Sequence, residues 1–126
     1  MSTSAFVGKE NPDGTVTSIT VYSDGYPQYM FKMLKKNYSD PKKVDKLIAL
    51  GDCSCIEKEV DVPEGVKHTF DEPVEGITIA YHRDRGEDWE DVKPMENVSE
   101  ETFRCYCGNE YWYLFKNGEW LKTSKK

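Results

Sequence analysis

The sequence predicts an α+β fold from three observations: a Pro12-Asp13-Gly14 turn between β-branched segments, an Asn117-Gly118 turn between aromatic segments, and helical periodicity between the two. The expected architecture is a single domain over residues 1–126, with a mainly antiparallel sheet, N- and C-terminal β-hairpins and two to three short helices packed on one face. A chain of 126 residues can bury roughly two-thirds of its unfolded surface, enough for one core.

Ala5 to Glu10 and Val16 to Tyr22 are the strands of the first hairpin; in the link between them Pro12 presets the turn and Gly14 takes the positive φ. The period then changes. Met30, Met33, Leu34 and Tyr38 recur at helical spacing behind Pro27, whose missing N–H is harmless in a first turn. Asp40 is placed to cap a second helix, Pro41 to begin it, Val44, Leu47 and Ile48 to bury one face, and Gly51 to stop it. Cys55 to Val60 is a candidate strand, and Ile77 to Tyr81 reads as a central strand passing into a loop. Glu87 to Glu96 is acidic and turn-rich. Ser99 is placed to cap a helix running to Tyr106, with Val98 and Phe103 as its hydrophobic staple. In the last hairpin the Asn-Gly turn aligns Phe115 with Trp120 and Leu114 with Leu121.

The formal charge of −6 repels polyanions, and the only basic cluster read from the sequence, Lys122 to Lys126, falls on a frayed tail, so general DNA or RNA binding is not expected. The N-terminus lacks the basic and apolar parts of a secretory signal, and no run of about 18 apolar residues occurs. A cytoplasmic protein with reduced cysteines and no membrane partner is expected. The pairs Cys53-x-Cys55 and Cys105-x-Cys107 offer four thiolates to zinc, but one intervening residue is tighter than structural zinc pairs use; buried thiols, with no metal or cofactor, are the expectation.

Several motifs occur in order along most of the chain: GKENPDGTV, DGYP at Asp24 to Pro27, NY at Asn37-Tyr38, LIALGD at Leu47 to Asp52, AYHRDRGE at Ala80 to Glu87, and YLFKNGEW. Through them the chain resembles a family of small proteins encoded by bacteriophages and prophages. The family brings no established activity; the resemblance implies a phage accessory gene, a class in which inhibition of host immunity is common. The chain departs from the family pattern at Gly51-Asp52-Cys53-Ser54-Cys55-Ile56, where a serine-rich segment is expected.

AYHRDRGE is the leading candidate site. Read as an extended strand end, it sends Arg83 and Arg85 to one face and His82 and Asp84 to the other. The guanidiniums can fork onto phosphate, and Tyr81 or His82 can stack on a base. The competing view is a surface turn in which both arginines pair with Asp84, Glu87 or Asp88. Tyr22, Asp24 and Tyr26 join the ligand set at the start of the first helix, whose unpaired N–H groups attract anions; the plainer view makes Asp24 a helix cap and Tyr26 a core residue. A His82–Asp84 dyad is the one catalytic arrangement on offer, and His68 reads as an isolated surface residue.

These readings favour a non-enzymatic anti-defence protein, acting in the host bacterial cytoplasm, that sequesters a small anionic nucleotide-type immune signal. The expected ligand-binding residues are Tyr22, Asp24, Tyr26, Tyr81, His82, Arg83 and Arg85, in a homo-oligomer that encloses the ligand. One alternative is an inhibitor that binds a host defence protein through Trp89, Trp112 and Trp120. Another is a hydrolase of a nucleotide signal with His82 as base.

Overall fold

The computed structural model describes residues 3–106 and 111–122. In chain order the elements are β1 (Ala5–Glu10), β2 (Thr15–Val21), α1 (Pro27–Asn37), α2 (Pro41–Ala49), β3 (Cys53–Cys55), β4 (Ile79–Ala80), α3 (Tyr81–Arg85), α4 (Trp89–Val92), β5 (Met95–Ser99), α5 (Glu100–Tyr106), β6 (Tyr111–Lys116) and β7 (Glu119–Lys122). The fold is α+β, built on one mixed sheet in the order β4-β3-β2-β1-β6-β7, with β5 also on β2. The β1–β2, β2–β5, β3–β4 and β6–β7 pairings are antiparallel, whereas β1–β6 and β2–β3 are parallel. Among the described residues no helix is long and apolar enough to cross a membrane.

Local chemistry accounts for the elements that were foreseen. Asn117 and Gly118 both take positive φ, which suits the twist of a two-residue hairpin, and Phe115 faces Trp120 while Leu114 faces Leu121. Asp40 accepts the Lys42 N–H, and Pro41 opens α2. Ser99 Oγ accepts the Thr102 N–H at 3.1 Å and so caps α5.

Strand alternation divides the apolar residues between the two faces of the sheet. Ala5, Val7, Ile19, Val21, Tyr113 and Phe115 face α1 and α2, where Met30, Leu34, Tyr38, Val44, Leu47 and Ile48 complete the main core. Val16 and Leu114 face the other way and pack with Phe103 of α5. The helices therefore cover both faces rather than one, because α5 leaves β5 on the side opposite α1 and α2. Two backbones meet closely at Gly25: a Cβ there would lie 2.7 Å from Ala5 Cβ and 2.8 Å from Thr3 O.

Four expectations are corrected. The segment from Ile77 is no central strand: β4 holds only Ile79 and Ala80, sits at the sheet edge, and gives way to helix at Tyr81. The Cys55 to Val60 strand is displaced to Cys53–Cys55, and beyond it only Glu59 makes an isolated bridge, to Ile77. The acidic stretch from Glu87 to Glu96 contains α4 and the start of β5. Lys122 pairs with Tyr113 within β7 and is not part of a tail, while residues 123–126 lie outside the described residues.

Candidate functional site

Two strands share one edge of β2. β3 meets it at Val21, β5 at Thr15 to Ser18, and between them the edge is left open. An unpaired backbone N–H in such a gap needs an acceptor, and Asp52 supplies one: its Oδ1 accepts from Thr20 N at 2.9 Å. Gly51, at φ +81°, ends α2 and delivers Asp52 to this position, where its own N–H donates to Val92 O at 2.8 Å. A Cβ on Gly51 would stand 2.5 Å from that same carbonyl.

The gap continues outward as a cleft. One lobe, of about 300 Å³, is lined by Tyr22, Asp52, Tyr81, Arg85, Glu87 and Asp91. An adjoining lobe of about 230 Å³ shares Tyr22 and Asp52 and adds Phe6, Ser18, Thr20 and Lys93. Tyr22 and Tyr81 meet edge to face with centroids 5.6 Å apart, and Tyr81 also leans on Phe70. The Arg85 guanidinium lies 4.7 Å above the Phe70 ring and 3.3 Å from Glu87, with about half its side chain in solvent. The cleft thus presents aromatic walls, one solvent-facing arginine and three carboxylates.

Burial pushes the Asp52 carboxyl above its usual range, against the pull of the Thr20 hydrogen bond. A carboxyl raised in this way favours the fold below its unfolded value of about 4, and that contribution is lost as the pH rises through the higher folded value. Asp52→Asn keeps the oxygen acceptor and has no charge to desolvate. It is expected to raise the urea midpoint at pH 7 and to match the wild type near pH 4; a lower midpoint at pH 7 would mean that the Asp52 charge is stabilised by Arg85 and Lys93.

Arg83 is not in the cleft. Its Nε donates to Asp84 Oδ1 at 2.9 Å, and its terminal nitrogens donate to Val60 O at 2.5 Å and Thr78 O at 2.7 Å. Asp84 is buried, and its other oxygen accepts from Ala80 N at 2.8 Å. His68 completes the cluster and is fully buried rather than on the surface, with Nε2 3.5 Å from Asp84 Oδ2. Its Nδ1 accepts from Val74 N at 2.9 Å, so Nε2 carries the proton and donates to Thr78 O at 3.1 Å. These contacts fasten the irregular chain between β3 and β4 to the sheet edge, because nearly every backbone oxygen involved belongs to that segment. Arg83, Asp84 and His68 hold the fold together.

The opposite-face reading of AYHRDRGE fails for the same reason. One helical turn ending at Gly86, with φ +79°, replaces the extended strand, so side chains fan out instead of alternating. His82 lies on the Trp89 ring with centroids 5.1 Å apart, and its Nδ1 donates to Glu87 O at 2.8 Å. It forms no dyad with Asp84, which points inward. Asp24 takes positive φ, and the α1 cap is the backbone of Tyr26 with no side-chain acceptor, so Asp24 does not cap the helix. Tyr26 is 39% exposed near Tyr29 and is not a core residue. Of the residues singled out from sequence, the cleft gathers Tyr22, Tyr81 and Arg85; Asp24, Tyr26, His82 and Arg83 stand elsewhere.

Asp52 and Asp91 escaped notice, and Glu87 was read only as an arginine partner, which it is for Arg85. The signal for Asp52 was present in Gly51-Asp52, a helix stop followed at once by a carboxylate at a strand start. The thiols make no reactive pair: burial pushes Cys53 well above the ordinary range and Cys55 up to about 11. The side chains of Cys105 and Cys107 lie outside the described residues, among which no three His, Cys, Asp or Glu side chains gather as metal ligands do. Comparison of the chain with protein-family models, with curated proteins and with solved structures yields no match.

Proposed function

We propose that this chain is a non-enzymatic binding protein whose cleft takes a small anionic nucleotide-type ligand. The observation that carries the reading is the convergence of Tyr22, Tyr81 and Arg85 on one cleft, with the Asp52 carboxyl at the junction of its two lobes. A base stacks on the exposed face of Tyr22, Asp52 accepts from an exocyclic amine, and Arg85 exchanges Glu87 for a phosphate. With Arg83 committed to the interior, one guanidinium faces the ligand, and Glu87 and Asp91 oppose a highly charged one. The ligand carries few phosphates. An open cleft of this size encloses only part of a nucleotide, which is the reason a second copy is expected to close it.

In the setting that the phage resemblance implies, such binding withdraws an immune signal in the host cytoplasm. The tryptophan-anchored inhibitor loses its anchors: Trp120 is buried, Arg104 covers Trp112 at 4.6 Å, and His82 covers Trp89.

Uptake and release tests the proposal. The protein is incubated with a panel of cyclic and linear nucleotides, freed of unbound material and heat-denatured, and the supernatant is analysed. Intact nucleotide is expected, and Tyr22→Ala and Arg85→Ala are each expected to weaken uptake by roughly tenfold or more, as for the loss of a stacking ring or a phosphate contact. Release of product would assign hydrolysis instead. Absence of uptake across the panel would reject the reading.

A further inference from the structure

The helices α1 and α2 carry a charge opposite to that of the molecule. From Pro27 to Leu50 there are six lysines against two aspartates, in a chain whose net charge is −6. The lysines are spread along the sequence as Lys32, Lys35, Lys36, Lys42, Lys43 and Lys46 and are gathered only when the helices form. Lys43 and Lys46 are engaged by Glu59 and Asp61. Lys35 and Lys122 both stand over the Phe31 ring, at 4.4 Å and 5.7 Å. Among the described residues no carboxylate pairs with Lys32, Lys36 or Lys42.

A groove of about 490 Å³ runs along α1 beside two of these free lysines. Its residues follow helical spacing: Gln28, Lys32 and Lys36 form one row, Tyr29, Met33 and Asn37 the next. Apolar atoms of Tyr29 and Met33 floor the groove. Tyr29 is fixed there by its hydroxyl, which donates to Ile56 O at 3.1 Å.

We infer that this groove is a docking surface for an acidic segment of a protein partner, one that sets carboxylates against Lys32 and Lys36 and an apolar side chain against Tyr29 and Met33. Two observations select this occupant over a nucleic acid. The face holds no arginine to fork onto phosphate. A long polyanion extends past these lysines and comes within a Debye length, about 8 Å, of the acidic remainder of the molecule, which repels it, while a short acidic segment meets mainly the local lysines. The surface is separate from the nucleotide cleft and shares no lining residue with it.

The test uses a fluorescein-labelled peptide of glutamate pairs separated by single leucines, titrated with the full chain and followed by anisotropy. Binding is expected at about 20 mM salt and should weaken severalfold at about 150 mM, as screening of exposed charges requires. Lys32→Glu with Lys36→Glu should weaken it by about tenfold or more, while Lys32→Arg with Lys36→Arg retains it. Should the charge-reversed protein fail to fold by circular dichroism, Lys32→Gln with Lys36→Gln is read instead and should also lose affinity. A peptide in which serine replaces leucine should bind more weakly, which reports on the apolar floor. The inference is overturned if the leucine peptide does not bind at low salt, if either pair of neutral or reversed variants binds it as tightly as the wild type, if the serine peptide binds equally well, or if a single-stranded oligonucleotide of equal charge binds more tightly.

Discussion

Replacing Arg83 with methionine is expected to cost about 3 kcal/mol of folding stability, because it leaves the buried Asp84 carboxylate without its charge partner. The carbonyls of Val60 and Thr78 lose donors in the same step. The guanidinium edge is partly exposed, with 27% of the side chain in solvent, which places the effect at the lower end for broken buried pairs. Arg85→Met, two residues away, removes a surface pair with Glu87 and should cost no more than about 1 kcal/mol. Urea denaturation of the two variants measures the contrast: a midpoint lowered by roughly 1–2 M for the first and nearly unchanged for the second. Equal losses would show that Arg85 is as structural as Arg83 and would remove the only solvent-facing guanidinium from the cleft.

Gly51→Ala carries the next largest effect, about 3 kcal/mol, from two sources that add. An alanine at φ +81° is strained by about 1–2 kcal/mol, and its Cβ would lie 2.5 Å from Val92 O and 3.2 Å from the Trp89 ring. Relief of that overlap requires α4 to move away from Asp52, whose N–H donates to the same Val92 carbonyl. The cleft wall moves with it, so ligand uptake should fall together with stability. Gly86→Ala is the natural comparison, since it has a similar φ of +79° and open space around the added carbon. That variant should lose about 1 kcal/mol from backbone strain alone. Similar melting temperatures for the two would show that α4 yields without cost and does not define the wall.

Much of the fold was legible because its signals are local. Proline, aspartate and glycine in the first turn, asparagine and glycine in the last, and the Asp40-Pro41 pair each determine backbone conformation within a few residues, and each acts as predicted. The parallel pairing of β1 with β6 was not legible, since nothing in either strand names a partner about a hundred residues away. β5 was missed because Met95-Glu96-Asn97 lacks β-branched residues, and its place on β2 comes from pairing rather than propensity.

The site divides along the same line. Tyr22, Tyr81 and Arg85, named from the sequence, all line the cleft. The Arg83–Asp84 pair was on offer as the competing view, but its burial with His68 was not legible, because it depends on a loop that folds back from twenty or more residues away, as the Arg83–Val60 hydrogen bond illustrates. A histidine, an arginine and an aspartate together suggest chemistry on paper; here they satisfy one another and two backbone carbonyls, those of Val60 and Thr78. Asp52 shows the converse. An unremarked aspartate after a helix stop becomes the junction of the cleft because it alone reaches the unpaired Thr20 N–H.

The most direct test of the nucleotide cleft is an NMR titration with adenosine monophosphate, following tyrosine ring and arginine Nε–H resonances. Saturable shifts at Tyr22, Tyr81 and Arg85, with Arg83 and Tyr26 unmoved, are the predicted result. Shifts centred on Tyr26 or Arg83, or no saturable shift at any of these positions, would contradict it.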